Sequence, residues 1–286
     1  MDLQQSHPYL SYIRKLGWKV TEIDNVSIIH RHFFLIGGIA KLQRTEVLPE
    51  INHLKDFIKQ YKIKLIAIEP AVNISQDYLV SYCTSLRSYV KLNSSPFLPT
   101  KTIILDLSKP ENEIFKHFSE AKRRAIRKAA KNNVTVIMSD DIDEMIRIKS
   151  KSAGFLGILT TYGLSQLWQT FKPKNAIILL AQHNGISRLS PKSINIIGGV
   201  FLIIWEKTAY YWIVGATFQG KKLFAPTLLV WEAIKTAKQR GCTSFDFVGV
   251  WDERFPKVNK EWLGFTKFKE GFGGRELYYP IAMLRK

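Results

Sequence analysis

The stretch that decides the fold lies near the C-terminus and has three pieces. They are LFAPTLLVWEAIKTAKQRG at residues 223–241, CTSFDFVGVWD at residues 242–252 and WLGFTKFKEGFGGRELYYP at residues 262–280. The first piece has apolar residues at intervals of three and four and a proline near its start, which predicts an amphipathic helix that Gly241 ends. Alternation of apolar and polar residues predicts a strand at Ser244–Val250, and another strand is expected at Phe265–Phe272, where glycines end it.

A helix followed by two strands is the second half of the fold of GNAT-type acyltransferases. In that fold the pyrophosphate of the acyl donor binds at a Gly-rich turn before the helix. The turn at this position is GATFQGKKLFA, residues 215–225. It lacks the acyl-CoA signature, in which Arg or Gln is followed after two residues by Gly-x-Gly or Gly-x-Ala. We therefore expect an acyl donor other than coenzyme A.

Further blocks of sequence carry a resemblance to one family. They are QSHPYLSYIRKLGWKV at residues 5–20, the segment from Thr102 to Val136, YYWIVGAT at residues 210–217 and the C-terminal stretch quoted above. Across these blocks the chain resembles the FemABX peptidyltransferases. The resemblance implies an α/β (α+β) fold with two tandem GNAT-like domains, the acyl-CoA N-acyltransferase fold, and a cleft between them. The long helical hairpin that some members insert in the second domain is missing.

The resemblance also implies an activity. Members of the family move an amino acid from aminoacyl-tRNA to the stem-peptide amine of a peptidoglycan precursor, lipid II or UDP-MurNAc-pentapeptide, and so form the interpeptide bridge. Aminoacyl-tRNA would be a co-substrate, with no other cofactor. Two alternatives stay open: a GNAT-fold N-acyltransferase that acylates another amine from an acyl-CoA or acyl-carrier donor, and a non-catalytic tRNA-binding protein. The sequence does not identify the amino acid that is transferred.

The composition is that of a globular, strongly basic protein. The chain has 286 residues, of which 46% are hydrophobic, and a formal net charge of +18. Such an excess favours polyanions such as nucleic acid, phosphorylated precursors or an anionic membrane leaflet, although a generally basic proteome would give it too. With two cysteines and no signal-peptide pattern, a cytoplasmic location is expected, with peripheral contact at the inner membrane leaflet as an option.

A loop rich in serine and proline at Asn93–Pro99 predicts a linker between two domains. We expect an N-terminal GNAT-like domain at residues 1–100, to which the closing residues 281–286 are a candidate addition. A C-terminal GNAT-like domain is expected at residues 101–280. Inside it, apolar and basic residues at helical spacing predict one basic helix over residues 111–131.

Four residues are candidates for catalysis. The resembled family places a Phe-Lys pair, here Phe268 and Lys269, at the aminoacyl-tRNA end, where the ammonium would stabilise the oxyanion of the tetrahedral intermediate and the ring would stack on the terminal adenine. Without that motif, Lys269 would be an ordinary solvated lysine. Glu69 matches an acidic residue near the acceptor amine, as a general base or as a group that binds the acceptor or pairs with a lysine. Tyr211 matches a tyrosine of the same cleft in the family. The alternative is that Tyr211 is an ordinary residue of the hydrophobic core.

Candidates for binding the acceptor's pyrophosphate come from both predicted domains. The resembled family uses a lysine of the N-terminal helix, where Arg14 and Lys15 stand in this chain. It also uses an arginine of the second domain, and that position falls near Leu159, where no basic residue is found. Either Lys149 or Lys151 substitutes for that arginine, or the acceptor differs from the usual nucleotide- or lipid-linked precursor.

The basic helix offers contacts to the phosphates of tRNA. The candidates are Arg123, Arg124, Arg127 and Lys128. The alternative is a solvated helix face that also packs two lobes together. The six histidines show no metal-ligand spacing, so no metal site is expected.

Overall fold

The computed structural model describes residues 1–154, 157–183 and 195–282. The chain divides into two compact units. The N-terminal unit comprises Met1–Lys101 together with the segment from Leu277 onward, and the second unit comprises Thr102–Glu276. The C-terminal segment thus joins the first unit a few residues earlier than residue 281.

The N-terminal unit is built on a five-stranded sheet in the order β1-β2-β3-β4-β5. Its elements are α1 (His7–Lys15), β1 (Lys19–Ile23), β2 (Val26–Phe33), β3 (Gly37–Gln43), α2 (Ile51–Gln60), β4 (Ile63–Glu69), α3 (Gln76–Leu86) and β5 (Lys91–Leu92). The first three strands are antiparallel, whereas β3, β4 and β5 run parallel. The parallel connections pass through α2 and α3, as crossovers require.

The core of this unit lies between the sheet and its crossover helices. Leu42 of β3 and Ile66 of β4 are fully buried with Leu54 of α2 and Leu79 of α3. The C-terminal segment is tied to the same unit by the side chain of Gln76, which donates to the carbonyl of Ile281 at 2.8 Å and accepts from its N–H at 3.0 Å.

The second unit is built on a seven-stranded sheet in the order β12-β6-β11-β10-β9-β8-β7. Its elements are β6 (Lys101–Asp106), α4 (Glu111–His117), α5 (Glu120–Lys131), β7 (Val134–Ser139), α6 (Ile142–Ala153), α7 (Gly157–Thr161), α8 (Leu164–Phe171), β8 (Ala176–His183), β9 (Asn195–Trp205), β10 (Thr208–Ala216), α9 (Phe218–Lys222), α10 (Ala225–Gln239), β11 (Ser244–Asp246), α11 (Leu263–Glu270) and β12 (Arg275–Tyr278). Strands β10 and β11 are parallel, and α10 makes the crossover between them.

Helix α10 supplies much of the core of the second unit, as its sequence predicts. Leu229 and Ile234 are completely buried, Pro226 stands in the first turn, and Gly241 follows the last turn at a φ of +81°. Glycine adopts that left-handed conformation without a Cβ penalty, which explains why the helix ends there.

The predicted single helix over residues 111–131 is wrong, because two helices occupy that range. Phe118 is extended between α4 and α5, and the hydroxyl of Ser119 accepts from the N–H of Lys122, which caps α5. The N–H of Ser119 donates to the carbonyl of Gly271 at 2.8 Å. A serine cap with a tertiary partner for its own N–H therefore interrupts the helix.

The predicted strand at Phe265–Phe272 is also wrong, since α11 covers most of it. Phe265, Phe268 and Phe272 recur at intervals of three and four, which is helical spacing. The predicted strand at Ser244–Val250 is shorter than expected, because β11 ends at Asp246.

None of the helices in the described ranges combines the length and the hydropathy that crossing a membrane requires.

Candidate active site

The second unit contains a cavity of about 920 Å³. Its position follows from the sheet. Pairing between β10 and β11 stops at Tyr210 and Asp246, whereas β10 continues to Ala216 beside β9, with a register shift between Tyr211 and Ile213. The second half of β10 therefore faces a space instead of a strand. Helix α11, the chain after β11 and the first turn of α10 complete the lining.

The chain after β11 is held in an unusual conformation beside this cavity. Val248 has a φ of +55°, which is a rare conformation for a β-branched residue. The carboxylate of Asp246 accepts from the N–H of Val248 at 2.7 Å, and it also accepts from the hydroxyl of Thr102. The same hydroxyl accepts from the N–H of Gly249 at 3.2 Å. Strain of this kind persists only where the surroundings enforce it, and it is common at functional sites.

Lys269 holds the carbonyl groups of the same segment. Its Nζ donates to the carbonyl of Phe247 at 2.7 Å and to that of Gly249, and it lies 4.8 Å from the centre of the Phe265 ring. The side chain is 9% exposed and lines the cavity. An ammonium has three N–H donors, so one is left for a ligand.

Burial shifts the acidity of this ammonium. Desolvation lowers the pKa of Lys269 to about 8, against an opposing effect of the nearby Asp246 carboxylate. At neutral pH the side chain is therefore still mainly charged, in a setting of low polarity where its field is little screened.

Phe268 lies between the cavity and a second lysine. It lines the cavity, and the ammonium of Lys122 on α5 stands 3.6 Å from the centre of its ring. Lys122 has no carboxylate partner within the described residues, and burial lowers its pKa to about 8. Its stem crosses Gly271, where a Cβ would lie 2.6 Å from its Cε. Lys122 therefore fixes the Phe268 ring by a desolvated cation–π contact.

Tyr211 presents an unsatisfied polar group at the cavity wall. The side chain is 3% exposed, and its hydroxyl has no hydrogen-bond partner in the described part of the chain. Burial raises the pKa of this phenol. The ring packs against Phe245 and Phe247. Because a buried hydroxyl without a partner costs free energy, this one is suited to bond with a ligand.

Lys149 is the candidate phosphate ligand that reaches the cavity. Helix α6 carries it against β10, where Gly215 leaves so little room that a Cβ would lie 2.9 Å from the Cα of Lys149. Burial lowers the pKa of Lys149. Lys151 is exposed on the same helix and is not part of the lining. With Lys149, Lys221 and Lys269, the described lining holds three cations and no carboxylate, which suits an anionic or oxygen-rich ligand.

Arg14 and Glu69 lie in the N-terminal unit. Arg14 lines a cavity of about 550 Å³ there, along with Arg44 and Thr45, whereas the exposed Lys15 is not in its lining. The hydroxyl of Thr45 is buried and lacks a hydrogen-bond partner among the described residues. The lining also includes the acidic residues Asp2, Glu22 and Glu46, and this cavity was not evident from the sequence.

Glu69 is buried at the end of β4 and organises the predicted linker. Its Oε1 accepts from the N–H groups of Phe97 at 2.6 Å and Leu98 at 2.8 Å, whereas its buried Oε2 has no partner in the described ranges. Burial raises the pKa of Glu69, against the opposing effects of these N–H groups and of the nearby Arg44 guanidinium. The carboxyl thus holds the loop, and its raised pKa makes it a candidate for proton transfer.

The four candidates for tRNA contact lie on α5. Arg124, Arg127 and Lys128 are exposed, and Arg123 donates to the carbonyl of Lys116 at 3.2 Å. Arg124 pairs with Glu120 at 3.7 Å on the surface, which is a weak interaction. Elsewhere, the described ranges hold no cluster of three His, Cys, Asp or Glu residues that could bind a metal ion.

Comparison with known proteins gives the following matches. A sequence model of the FemAB family matches residues 169–277. FemX is 14% identical, with 97% of this chain and 90% of that chain covered and a TM-score of 0.71. L-PGS from Bacillus licheniformis is 14% identical over 94% of this chain and 85% of that one, with a TM-score of 0.54. A tandem GNAT protein from the clavulanic acid biosynthesis pathway is 8% identical over 91% and 80%, with a TM-score of 0.52. No curated protein sequence matches the chain.

These matches confirm the predicted α/β fold class, since two of the similar structures are FemX and a tandem GNAT protein. The segment that matches the family model contains Tyr211, Phe268 and Lys269, three residues of the cavity lining. The chain therefore matches the FemAB family model through residues 169–277, and its fold resembles that of FemX over nearly its whole length.

Proposed function

We propose that this protein transfers an amino acid from aminoacyl-tRNA to the stem-peptide amine of a peptidoglycan precursor. The observation that carries the proposal is the ammonium of Lys269. It lies in the wall of a cavity large enough for a small ligand, inside the segment that matches the FemAB family, with one N–H unused. The cytoplasm holds both substrates, so we expect the protein to act there, with peripheral membrane contact where the precursor is lipid-linked.

The reaction needs the stabilisation that this lysine offers. The acceptor amine attacks the ester carbonyl of the aminoacyl group, which forms a C–N bond and a tetrahedral oxyanion. The ester C–O bond then breaks and the ribose hydroxyl leaves with a proton. A charge that develops only in the transition state is best stabilised by a donor that is already in place. Lys269 is such a donor, because two backbone carbonyls fix its position.

The other residues have proposed parts in binding. Phe268 would stack on the terminal adenine, with Lys122 fixing its ring from behind. The hydroxyl of Tyr211 and the ammonium of Lys149 would bond to oxygen atoms of the ligand. In the N-terminal unit, Arg14 would contact the acceptor's phosphates and Glu69 would bind the acceptor amine or accept its proton.

The direct test is an assay with purified protein, charged tRNA and UDP-MurNAc-pentapeptide or lipid II. We expect the precursor to gain the mass of one amino-acid residue, and the gain to require the charged tRNA. A parallel reaction with acetyl-CoA should give no acylated precursor. Product formed from acetyl-CoA, or no product with any aminoacyl-tRNA, would contradict the proposal.

Charge reversal on α5 should weaken tRNA binding. Arg124→Glu with Arg127→Glu removes two exposed cations, so we expect the Kd for tRNA to rise at least tenfold, measured by filter binding. The slope of log affinity against log salt should fall by about 1.4 to 1.8 if each arginine contacts one phosphate. The control is Lys59→Glu with Lys91→Glu, which changes charge equally on exposed lysines of the N-terminal unit. Equal Kd values for the two double variants would show that α5 does not contact the tRNA.

The pH dependence should reveal which form of Lys269 acts. With a pKa of about 8, the ammonium fraction falls from about 90% at pH 7 to about 10% at pH 9. The acceptor amine ionises as well, so the useful quantity is the ratio of kcat/KM between wild type and Lys269→Met. We expect this ratio to be constant below pH 7 and to fall about tenfold between pH 7 and pH 9. A ratio that rises toward pH 8 would instead make Lys269 a general base.

A further inference from the structure

The tip of the β2–β3 hairpin exposes three consecutive large apolar side chains. Phe34 is 97% exposed, Leu35 is 91% exposed and Ile36 is 61% exposed. They form a three-residue turn, because Phe33 pairs with Gly37 across the hairpin. Turns of this kind ordinarily carry Gly, Asn, Asp or Ser, whose backbone preferences and side-chain hydrogen bonds favour them. Contiguous apolar exposure generally marks an interaction surface.

The turn has a defined conformation. Gly37 has a φ of +84°, the left-handed position that closes a three-residue hairpin turn. A Cβ at Gly37 would lie 2.7 Å from Cγ of Lys64, so the stem of this lysine passes directly over the base of the tip. On the other side, the Trp18 ring meets the Phe33 ring edge-on at 5.9 Å. The tip therefore projects from a base that is well packed.

Exposed lysines are concentrated in the segments of chain at this end of the sheet, and one of them, Lys64, lies against the base of the tip. Lys19, at the start of β1, pairs with His30 of β2, and Ile63, at the start of β4, pairs with Gly38 of β3. Three segments of chain therefore meet at this end of the sheet. These segments, residues 12–21, 26–43 and 57–68, contain no Asp or Glu. The exposed lysines of these segments, which we call the cationic ring, are Lys15, Lys19, Lys59, Lys62 and Lys64.

We propose that this hairpin tip inserts into the headgroup region of an anionic lipid bilayer. Transfer of the apolar tip from water to the lipid lowers the free energy, and the cationic ring at its base would contact anionic headgroups at the same time. A second copy of the chain is a less suitable partner, because two tips that meet would bring two positive rings together. The inference is independent of the transferase activity, since membrane binding is measured without substrates.

Vesicle binding tests the role of the tip. Wild-type protein should sediment with vesicles of phosphatidylglycerol and phosphatidylcholine, and much less with phosphatidylcholine alone. The variant Phe34→Ser, Leu35→Ser, Ile36→Ser should bind the anionic vesicles at least tenfold more weakly. Phe218→Ser is the matched control, because Phe218 is 74% exposed in the second unit. Its binding should equal that of wild type.

The charges are tested separately. Lys62→Glu with Lys64→Glu should lower affinity for the anionic vesicles about tenfold or more. The control, Lys116→Glu with Lys131→Glu on exposed lysines of the second unit, should change it much less.

Insertion itself is tested with Leu35→Cys carrying an environment-sensitive fluorophore. Both native cysteines are buried, so the fluorophore reacts with the introduced cysteine. Its emission should shift to shorter wavelength on anionic vesicles, and a label at Phe218→Cys should not shift.

Three outcomes would overturn the inference. The first is wild-type protein that does not bind the anionic vesicles, and the second is a triple serine variant that binds them as wild type does. The third is a dimer in sedimentation velocity that the triple variant abolishes, without vesicle binding, which would assign the tip to self-association. Because the three residues are exposed, the melting temperature of the variant should match that of wild type, which separates loss of binding from loss of folding.

Discussion

Replacing Lys269 with methionine is expected to lower kcat/KM for aminoacyl transfer by about 10²- to 10³-fold, the usual cost of removing one oxyanion donor. Methionine keeps an apolar side chain of similar length but has no N–H to offer an oxyanion. The loss should appear in kcat, because the proposed contact forms only in the transition state. Rapid-quench measurement of single turnovers would isolate this step.

Lys267→Met is the matched control, since Lys267 is exposed on the same helix two residues earlier. This variant should keep a rate within about twofold of that of wild type. A larger change would show a general effect of removing a cation from α11. A near-normal rate for Lys269→Met would exclude Lys269 from the chemical step, whatever the family likeness suggests.

The same substitution should also destabilise the second unit. It leaves the buried carbonyls of Phe247 and Gly249 without their donor, and each unsatisfied group costs about 1–3 kcal/mol. Thermal unfolding is therefore measured beside the kinetics. Lys269→Arg helps to separate the effects, because a guanidinium can still donate to both carbonyls but places its charge differently. A variant that regains stability without regaining rate would show that the position of the ammonium matters for catalysis.

The sequence predicted α10 because this helix depends on local signals. A proline in the first turn, a glycine after the last turn and helical spacing of apolar residues are sufficient for α10. The same kind of signal did not predict α11, because in an element of eight residues periodicity alone does not separate a helix from a strand. The segment from Phe247 to Gly249 could not be predicted locally either. Its conformation depends on Thr102, which bonds to Asp246 from 144 residues away in the chain.

The candidate site shows the same division between local and tertiary information. Lys269, Phe268 and Tyr211 were identified from the family likeness, and the structure brings all three to one cavity. Lys122 was visible only as one more cation of a basic helix. Its contact with Phe268 depends on how α5 packs against the end of α11, where Gly271 leaves space for its stem. That packing has no signature in the sequence of either helix alone.

Substitution of Gly220 by alanine is expected to destabilise the second unit by about 3 kcal/mol, at the upper end for an overpacked site. Helix α9 lies against β9 at this point, and a Cβ on Gly220 would be 2.1 Å from the carbonyl oxygen of Ile197. The same oxygen accepts from the N–H of Thr217 at 2.9 Å and from its hydroxyl at 3.2 Å. The obstacle is therefore backbone held by hydrogen bonds, which a rotamer change cannot relieve.

The variant should also lose activity, because α9 carries Lys221 and leads into Phe224, both in the cavity lining. The stability control is Gly264→Ala. A Cβ there meets no atom within 4 Å, and alanine favours a helix over glycine, so its melting temperature should equal or exceed that of wild type. Differential scanning calorimetry should place Gly220→Ala roughly 6–12 °C below wild type at about 2–4 °C per kcal/mol. Equal melting temperatures for the two variants would mean that α9 moves away from β9 without loss of stability. The contact between α9 and β9 would then not be needed to hold the first turn of α10 in place.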